Sequence, residues 1–324
     1  MNYLLIILIN FIAFSVQANT CPYSHHSFDV EVSTKVTKAK DEYSYEYSVS
    51  NSKTSIVSVA NFFLKSKEKI TSPKSPNNWN PAKFSGSSTV GWSTDRKLSI
   101  KPGEFVSGYK VTSKGRPGIV KASFMGRNSI TNVIYTKIKR DKMTACPGYW
   151  DYGSRGVDDP RASVMTLGPI PENQVSPTAL YRLKSDEAWT GSLETSHDAL
   201  RTIDPMAKGT IEVLVLGNSD IQAEDIQKSG IKFGRGNAEP KSINIIDINT
   251  TTPRYSGKAL LLTFDLEQVQ VLCDLDRALF LEAQASKDRR VFTGIKIKPT
   301  FCDLKNWAPE VPNILKVRAE SHNE

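Results

Sequence analysis

The chain contains little of what most catalytic centres are built from. It has only four histidines and four cysteines in 324 residues, and neither a Cys-x2-Cys pair nor a matched histidine pair provides a zinc site. Gly-x-Ser-x-Gly, Gly-x-Gly-x-x-Gly and phosphate-loop patterns are also missing, so the motifs of serine hydrolases and of dinucleotide or nucleotide enzymes are not there. The sequence therefore predicts no catalytic residue, no cofactor and no metal site.

Two short patterns bear on that conclusion. Ser66 and Lys69 fit the Ser-x-x-Lys spacing of some acyl-enzymes, but the accompanying elements are missing and so short a pattern arises by chance. Cys21 lies close to His25 and His26, which could bind a transition metal. Adjacent histidines on an extended chain point to opposite faces, however, and a disulfide would remove the thiolate. Neither pattern is predicted to be a site.

The first eighteen residues carry no charge. The apolar run Leu4 to Val16 has the length of the central region of a signal peptide, and Val16-Gln17-Ala18 ends in a small residue as a cleavage site does. A retained anchor is the alternative, although about 15 apolar residues are short for a membrane span. We expect residues 1–18 to be a signal peptide, and the mature protein to be secreted or periplasmic without an integral membrane span.

The cysteines support export, because an even number in an oxidising compartment is commonly paired. Cys21 and Cys146 bracket the first half of the chain, whereas Cys273 and Cys302 lie in the second. We expect disulfides 21–146 and 273–302, since this connectivity keeps each bridge within one half. The two other connectivities and four free thiols remain as alternatives.

Alternating residues in the first half predict a β-sheet structure. In Tyr43 to Val49, three tyrosines and a valine share one face of a half-buried strand. Further short runs, separated by Pro- and Gly-containing turns, bring the number to about seven, which is typical of an immunoglobulin-like sandwich. These runs are Phe28–Val32, Ile56–Leu64, Thr89–Trp92, Phe105–Val111, Ile119–Phe124 and Val133–Ile138.

The stretch Ile211 to Phe264 predicts a second packed unit. Ile211, Val213 and Val215 alternate with residues that are also largely apolar, which favours a central strand covered on both faces. A short helix or turn is expected over 220–229, and three more strand candidates follow at 231–233, 242–249 and 258–265.

This order of strands, with the pattern IKFG, then LLLTFDLEQV and ALFLEAQASKDRRVFTGIKIKP, resembles an uncharacterised β-sandwich module of secreted bacterial proteins. The resemblance covers roughly a third of the chain and implies a fold and a compartment, not an activity. The usual hairpin of that module resembles a degenerate calcium loop. Here Asp247 and Asn249 match its first positions, but Thr252 and Lys258 stand where Gly and Glu are needed, so no calcium site is predicted.

The segment between the two halves changes character. Prolines and glycines recur between 147 and 205, and only 178–183 and 196–200 have the pattern of short helices with Thr or Ser as N-cap. The predicted fold is all-β, with two immunoglobulin-like β-sandwich domains joined by an irregular, partly helical connector. The predicted boundaries are 19–147 for the basic first domain, 148–207 for the connector, 208–308 for the second domain and 309–324 for a polar tail.

Charge is unevenly distributed. Residues 21–147 contain 21 Lys and Arg against 9 Asp and Glu, although the whole chain has a net charge of only +8. Lys65, Lys67, Lys69 and Lys74 cluster near Trp79 and could attract an anionic polymer such as a lipopolysaccharide, a cell-wall polymer or a nucleic acid. The alternative is that lysines solvate strands and protect sheet edges, as in many β-proteins. These four lysines are the candidate anion-binding residues of the sequence.

Aromatic residues could bind sugar rings, and the tryptophans are the obvious candidates: Trp79, Trp92, Trp150, Trp189 and Trp307. We expect an exported, non-catalytic binding or cell-envelope-associated structural protein, whose partner could be an envelope glycan or an anionic polymer. Two alternatives stay open. One is a polysaccharide hydrolase that acts through two carboxylates on separate loops. The other is an adhesin that binds anionic polymers through the basic first domain.

Overall fold

The computed structural model describes residues 29–55, 58–83, 88–126, 162–204, 207–248, 257–271, 276–286 and 288–299. These residues form a nearly all-β structure with several antiparallel sheets, which confirms the all-β part of the predicted fold. In chain order the strands are β1 (Val30–Ala39), β2 (Glu42–Asn51), β3 (Val59–Lys65), β4 (Asn80–Lys83), β5 (Thr89–Ser93), β6 (Phe105–Ser113), β7 (Arg116–Gly126), β8 (Ala162–Ile170), β9 (Gln174–Val175), β10 (Ala179–Arg182), β11 (Thr202–Ile203), β12 (Thr210–Leu216), β13 (Lys232–Phe233), β14 (Ser242–Ile248), β15 (Gly257–Asp265), β16 (Ala278–Ala285), β17 (Arg289–Lys296) and β18 (Lys298–Pro299).

Helical structure is limited to short pieces in the described residues. One α-helix, α1, spans Leu266–Val269, and 3-10 turns span Arg96–Leu98, His197–Ala199 and Ala223–Asp225. The last of these confirms the short turn expected over 220–229. None of the helices in the described part of the chain has the length and apolarity that crossing a bilayer requires.

The first sheet, which we call the A sheet, has the strand order β1-β2-β6 with antiparallel pairing throughout. Its inner face is the predicted stripe of β2, since Tyr45, Tyr47 and Val49 are completely buried. Tyrosine and valine pack well on a pleated surface, and the intervening polar residues of β2 remain partly or fully accessible.

The B sheet has the order β4-β5-β3-β7-β8 and faces the A sheet. Phe62 of β3 lies at the centre of their contact. Its ring centroid is 5.9 Å from that of Tyr47 and 5.2 Å from that of Tyr109, both on the A sheet. On its own sheet Phe62 stacks against Trp92 and Phe124. These edge-to-face and stacked rings make the first core.

The second core lies between two four-stranded sheets, C (β10-β12-β15-β14) and D (β13-β16-β17-β9). Ile211, Val213 and Val215 of β12 face this core and are completely buried. Leu214 and Leu216, on the opposite face of β12, are buried in a separate apolar cluster. The prediction that this strand is central and covered on both sides is confirmed.

The prediction that 148–207 is an irregular, partly helical connector is wrong for the residues of this segment that the structure describes. Its described residues include β8, β9, β10 and β11, of which β8 pairs along its whole length with β7 and completes the B sheet. The stretch Ala179–Arg182, predicted to be helical, is strand β10 of the C sheet, and the second predicted helix is only the 3-10 turn at His197. The division of the chain into domains ending at 147 and beginning at 208 stays a prediction.

The B and D sheets pack against each other through a further apolar cluster. Ile119, Met165 and Ala278 are buried there, with Phe280 and Phe292 packed alongside. Main-chain bonding continues across the same contact, because Arg277 N–H donates to the carbonyl of Ser163 at 3.0 Å. The first and second cores are thus joined by a packed interface, which brings residues distant in sequence together in several clefts, two of which are described below.

Candidate functional site

The four predicted anion-binding lysines do not form one group. Lys65 and Lys67 line a common cleft, described below, between the B and D sheets. Lys69 and Lys74 are exposed on the segment that runs beside β6, and neither is among the residues lining that cleft. There the carbonyl of Lys69 accepts a hydrogen bond from Ser113, and the main chain of Lys74 pairs with Lys110. The four lysines are therefore close in sequence but lie on two different surfaces.

Other candidates from the sequence have structural roles or lie outside the described residues. The latter group includes all four cysteines (Cys21, Cys146, Cys273 and Cys302), so both disulfides stay predictions, together with His25, His26, Asn249, Thr252, Trp150, Trp307 and the strand candidate 133–138. Trp79 and Trp92 are buried in the first core, and the ring of Trp189 is covered by Arg182. These three tryptophans are not sugar platforms.

Ser66 and Lys258 each have a structural partner. Ser66 is completely buried, and its hydroxyl donates to the carbonyl of Pro169 at 2.7 Å. Lys258 pairs with Glu224 at 2.9 Å, whereas Asp247 is exposed on β14. Within the described ranges, no group of three or more His, Cys, Asp or Glu residues is placed to hold a metal ion.

The larger of the two clefts has a volume of about 530 Å³ and lies beside the first two strands. Strands β1 and β2 form one wall, β8 forms the second, and the His197 turn with the end of β17 forms the third. The walls are joined by a 2.6 Å hydrogen bond between the hydroxyls of Thr34 and Thr166. We call it the hydroxyl cleft because its lining includes Ser33, Thr34, Ser48, Ser50 and Thr166.

Asp29 lies in this cleft just before β1 and joins the two halves of the molecule. Its Oδ1 is 3.6 Å from Nε of Arg277 and 4.0 Å from Nε2 of His197, and its Oδ2 accepts a 2.6 Å hydrogen bond from Thr54. Burial opposes ionisation of Asp29, but the Thr54 hydrogen bond and the neighbouring charges outweigh it and lower the pKa. Asp29 therefore remains a carboxylate near neutral pH.

A second pair of charges lies further along the same cleft. Lys296, at the end of β17, donates from Nζ to the carbonyl of Thr195 at 3.2 Å. Burial lowers the pKa of Lys296, although the carboxylate of Glu31 acts in the opposite direction. Glu31 is exposed on β1, two residues after Asp29, so both carboxyls lie on one side of the strand. The cleft thus combines hydroxyls with charges of both signs.

An exposed aromatic ring completes the hydroxyl cleft. Phe105 lines it and has 71% of its surface exposed, which is unusual for a phenylalanine. Simple alternation would place Phe105 on the same face as the buried Tyr109. A β-bulge changes this, since Tyr47 pairs with Tyr109 but its neighbour Ser48 pairs with Ser107, leaving Gly108 as an extra residue. The bulge turns the Phe105 ring outward.

The smaller cleft, of about 200 Å³, is the one that contains Lys65 and Lys67. We call it the basic cleft; its lining includes Lys65, Lys67, Lys121, Gln174, Glu282 and Phe292. Lys67 Nζ lies 5.1 Å above the centre of the Phe292 ring and 3.7 Å from Oε2 of Glu282. Burial lowers the pKa of Lys67, with Glu282 acting against this and the nearby cations Arg290 and Lys65 adding to it.

One ion pair of the basic cleft, Arg235–Asp276, is largely enclosed. Arg235 binds both carboxylate oxygens of Asp276 through Nε, at 2.8 and 2.9 Å, and its Nη2 lies 2.7 Å from Oδ1. Ser163 adds a hydrogen bond to the same oxygen at 3.1 Å. Asp276 is almost inaccessible, so this pair fixes the floor of the cleft and does not offer charge to a ligand.

Sequence reasoning found Lys65 and Lys67 but missed most of the residues that the fold brings to them. Glu282, Arg290 and Phe292 come from the second half of the chain, more than two hundred residues later. The same holds for Asp29, which meets His197 and Arg277 only across the interface. A signal was available for Phe105 alone, because Gly108 interrupts an otherwise regular strand and glycine in a strand often marks a bulge.

No protein-family model and no curated protein sequence matches the chain. Among solved structures, one that it resembles is described as "Crystal structure of protein of unknown function from Porphyromonas gingivalis W83". The match covers 83% of this chain and 99% of that chain, with 9% sequence identity and a TM-score of 0.17. A likeness at that TM-score supports no inference about this chain.

Proposed function

We propose that this protein is an exported, non-catalytic binding protein that holds a glycan in the hydroxyl cleft. The carrying observation is the cleft itself, which combines a volume in the usual range for small ligands with hydroxyl walls and an exposed phenyl ring. In this proposal the A and B sheets form one immunoglobulin-like β-sandwich, and the C and D sheets form a second one. Each keeps a rigid wall of the cleft in place.

The chemistry of the walls favours a sugar over an apolar ligand. A sugar presents many hydroxyls that donate and accept hydrogen bonds, and serine and threonine hydroxyls can do both. Aromatic rings bury the apolar faces of ligands while leaving their polar edges available. Phe105 at the cleft with Ser33 and Ser50 on neighbouring strands provides this combination. Glu31 and Lys296 add charged groups that can fix the orientation of the ligand.

The polysaccharide hydrolase is the alternative that needs to be separated from binding. Asp29 and Glu31 are two residues apart in sequence and both line the cleft, so their carboxylates are the pair that a glycosidase mechanism would use. A glycosidase acid, however, is kept protonated by apolar surroundings. Glu31 is exposed, and Asp29 is already bound to Thr54 and near Arg277. This arrangement supports holding a ligand in preference to cleaving it.

Export and the compartment belong to the same proposal. The uncharged apolar leader over residues 1–18 and the even number of cysteines support secretion or a periplasmic location. An envelope or extracellular glycan is a ligand that a protein in that compartment would meet.

The proposed function is tested with the purified full-length mature protein on an array of neutral and acidic bacterial polysaccharides, followed by titration calorimetry on the best oligosaccharide. We expect Phe105→Ala to weaken binding about tenfold, since loss of ring stacking costs about 1.5 kcal/mol. The matched control is Leu98→Ala, because Leu98 is also a large exposed hydrophobic residue, at 46%, but does not line the cleft.

The outcomes separate the candidates. Equal affinities for the two variants and the wild-type protein would exclude the hydroxyl cleft as the site. Release of reducing sugar ends from the bound polysaccharide, abolished by Glu31→Gln, would replace the binding proposal with the hydrolase.

A further inference from the structure

The basic cleft carries more positive charge than its own acidic partner can balance. Glu282 is shared by two cations, since its Oε2 lies 3.7 Å from Nζ of Lys67 and 3.6 Å from Nη2 of Arg290. Lys65 is a third cation close enough to act on Lys67, and the carboxylate of Asp276 is already held by Arg235. One available carboxylate thus faces three cations, and the 3.6–3.7 Å distances are longer than direct hydrogen bonds. An added anion would be bound favourably at this point.

The same cleft contains a polar atom that lacks a partner. Gln174 exposes only 1% of its surface, and its Oε1 accepts no hydrogen bond. Leaving a buried acceptor unsatisfied costs about 1 to 3 kcal/mol, and native structures contain few such atoms. Gln174 lines the cleft together with Lys65 and Lys67. The oxygen itself is inaccessible, so the Gln174 side chain has to rotate toward the cleft before an O–H or N–H donor of a ligand can reach it and remove that cost.

These two features together define the ligand. The surplus cations call for an anionic group and the Gln174 oxygen calls for a donor, whereas the Phe292 ring is already covered by Lys67 and stacked on Phe280. An acidic sugar carries both complements in one ring: a carboxylate or sulfate, and several hydroxyls. A nucleic acid or an extended polyanion would instead call for cations spaced along a track. Lys69 and Lys74, which could have extended such a track, are not part of the cleft.

We propose that the basic cleft binds a single acidic sugar unit, with Lys65, Lys67 and Arg290 around its anionic group and Gln174 accepting a hydroxyl. The proposal rests on the proposed function in that the ligand is again a glycan, but it uses a cleft with none of the same lining residues. The two sites therefore fail or succeed separately, because Phe105→Ala affects one and lysine substitutions affect the other.

The experiment is a calorimetric titration of the purified protein with a galacturonate tetramer, with the neutral galactose tetramer and with inorganic sulfate. We expect the acidic tetramer to bind and Lys65→Gln/Lys67→Gln to weaken it more than tenfold, since each lost charge-assisted contact is worth about 1.5 kcal/mol or more. The matched control is Lys69→Gln/Lys74→Gln, which changes the net charge equally at exposed lysines outside the cleft. That variant should keep wild-type affinity.

A third variant tests the hydroxyl contact. Gln174→Leu removes the unpaired acceptor at nearly constant volume, and we expect it to weaken the acidic tetramer severalfold while sulfate binding is unchanged. Circular dichroism on the same samples establishes that each variant is folded, and Lys65→Gln alone serves if the double variant is not.

Four results would overturn the proposal. Equal losses in the two lysine pairs would mean diffuse charge attraction, and equal binding of the neutral tetramer would mean that no anionic group is recognised. Inorganic sulfate binding as tightly as the acidic tetramer would mean that the sugar is not recognised. Failure of the acidic tetramer to bind, when the hydroxyl cleft still binds its own ligand, would exclude the basic cleft alone.

Discussion

At the scale of single residues, Asp29 makes a charged contact between the two halves of the molecule. It comes from the first half, whereas Arg277 and His197, which lie 3.6 and 4.0 Å from its Oδ1, come from the second. Arg277 and Asp29 are both largely shielded from water, with side-chain exposures of 7% and 12%. Removing one charge from a shielded pair costs more than the pair itself contributes, because the remaining charge stays desolvated.

We expect Asp29→Asn to lower the free energy of unfolding at pH 7 by about 2 kcal/mol. The folded-state pKa of Asp29 lies below its ordinary value of 3.8, so its contribution to stability is complete above that value. The contribution declines as the pH falls through the lowered pKa, where the wild-type carboxylate also becomes neutral. Urea unfolding followed from pH 7 to pH 2.5 should therefore show the two proteins converging in stability under acidic conditions.

The control for this prediction is Asp198→Asn. Asp198 lies 3.9 Å from the other nitrogen of His197, but its side chain is fully exposed to solvent. An exposed ion pair contributes little, so this variant should match the wild-type protein across the pH range. A difference between Asp29→Asn and wild type that persists unchanged at pH 2.5 would contradict the assignment to charge.

How far single residues could be predicted depended on whether their role is local. The burial of Tyr45, Tyr47 and Val49 follows from alternation within one strand, and the structure confirms it. The sequence also indicates Lys65 and Lys67 as anion-binding candidates. Their cleft is completed by Glu282 and Phe292, however, which are too distant in sequence to be identified with them. Gln174 gave no signal, because a glutamine next to a valine is ordinary and only its burial without a partner makes it a candidate.

At the scale of elements, β8 shows why a strand that contains turn-forming residues is not predicted from the sequence. Its sequence contains Gly168 and Pro169, which normally mark a break, and it follows a Pro- and Gly-rich segment. β8 is nevertheless an outer strand of the B sheet, and proline is tolerated at an edge because its missing N–H can face away from the neighbour. Pairing with β7 then outweighs the local preference.

Two glycines with nearly the same backbone angle provide an element-scale prediction. Gly108 has φ of +96° and Gly191 has φ of +93°, values that other residues rarely adopt. A Cβ at Gly108 would have its nearest neighbour, Pro76, at 3.9 Å, whereas at Gly191 it would lie 2.5 Å from the Tyr181 ring. The substitution at Gly108 strains the backbone alone, whereas the one at Gly191 also forces the Tyr181 ring and the carbonyl of Lys296, 2.9 Å from the added Cβ, to move.

We expect Gly108→Ala to lower the free energy of unfolding by about 1 kcal/mol and Gly191→Ala by about 3 kcal/mol, measured by urea denaturation. Each variant is the control for the other, since the backbone cost is shared and only the space differs. Equal losses would contradict the prediction that the Tyr181 contact sets the difference.

At the scale of the whole molecule, the sequence predicts individual strands better than it predicts which strands pair with each other. Antiparallel neighbours such as β14 and β15 are close in sequence and could be expected. The parallel contacts of β9 with β17 and of β11 with β18 join segments about a hundred residues apart, and no local pattern specifies them. Both clefts lie where such distant segments meet, which is why the strands were predictable and the candidate sites largely were not.

The interface between the B and D sheets should make the two cores unfold together. Met165 of β8 exposes only 3% of its surface and packs against Ile119 of the B sheet and Ala278 of the D sheet. Gly294 of β17 lies against it so closely that a Cβ there would be 3.0 Å from the Met165 sulfur. A carboxylate at this position would be desolvated among Ile119, Ala278 and Gly294 unless it turned toward the hydroxyl cleft, which Met165 also lines.

We therefore expect Met165→Glu to cost about 3 kcal/mol or more and to divide the calorimetric unfolding of the protein into two transitions, one for each core, where the wild-type protein shows one. The control is Met165→Leu, which keeps the volume and the apolar character and should cost less than about 1.5 kcal/mol in a single transition. If Met165→Glu, like Met165→Leu, unfolded in a single transition, contacts other than Met165 would couple the cores. In the expected outcome the cores separate, the walls of both clefts are free to move apart, and affinity for a ligand that spans them falls because its binding has to bring them together.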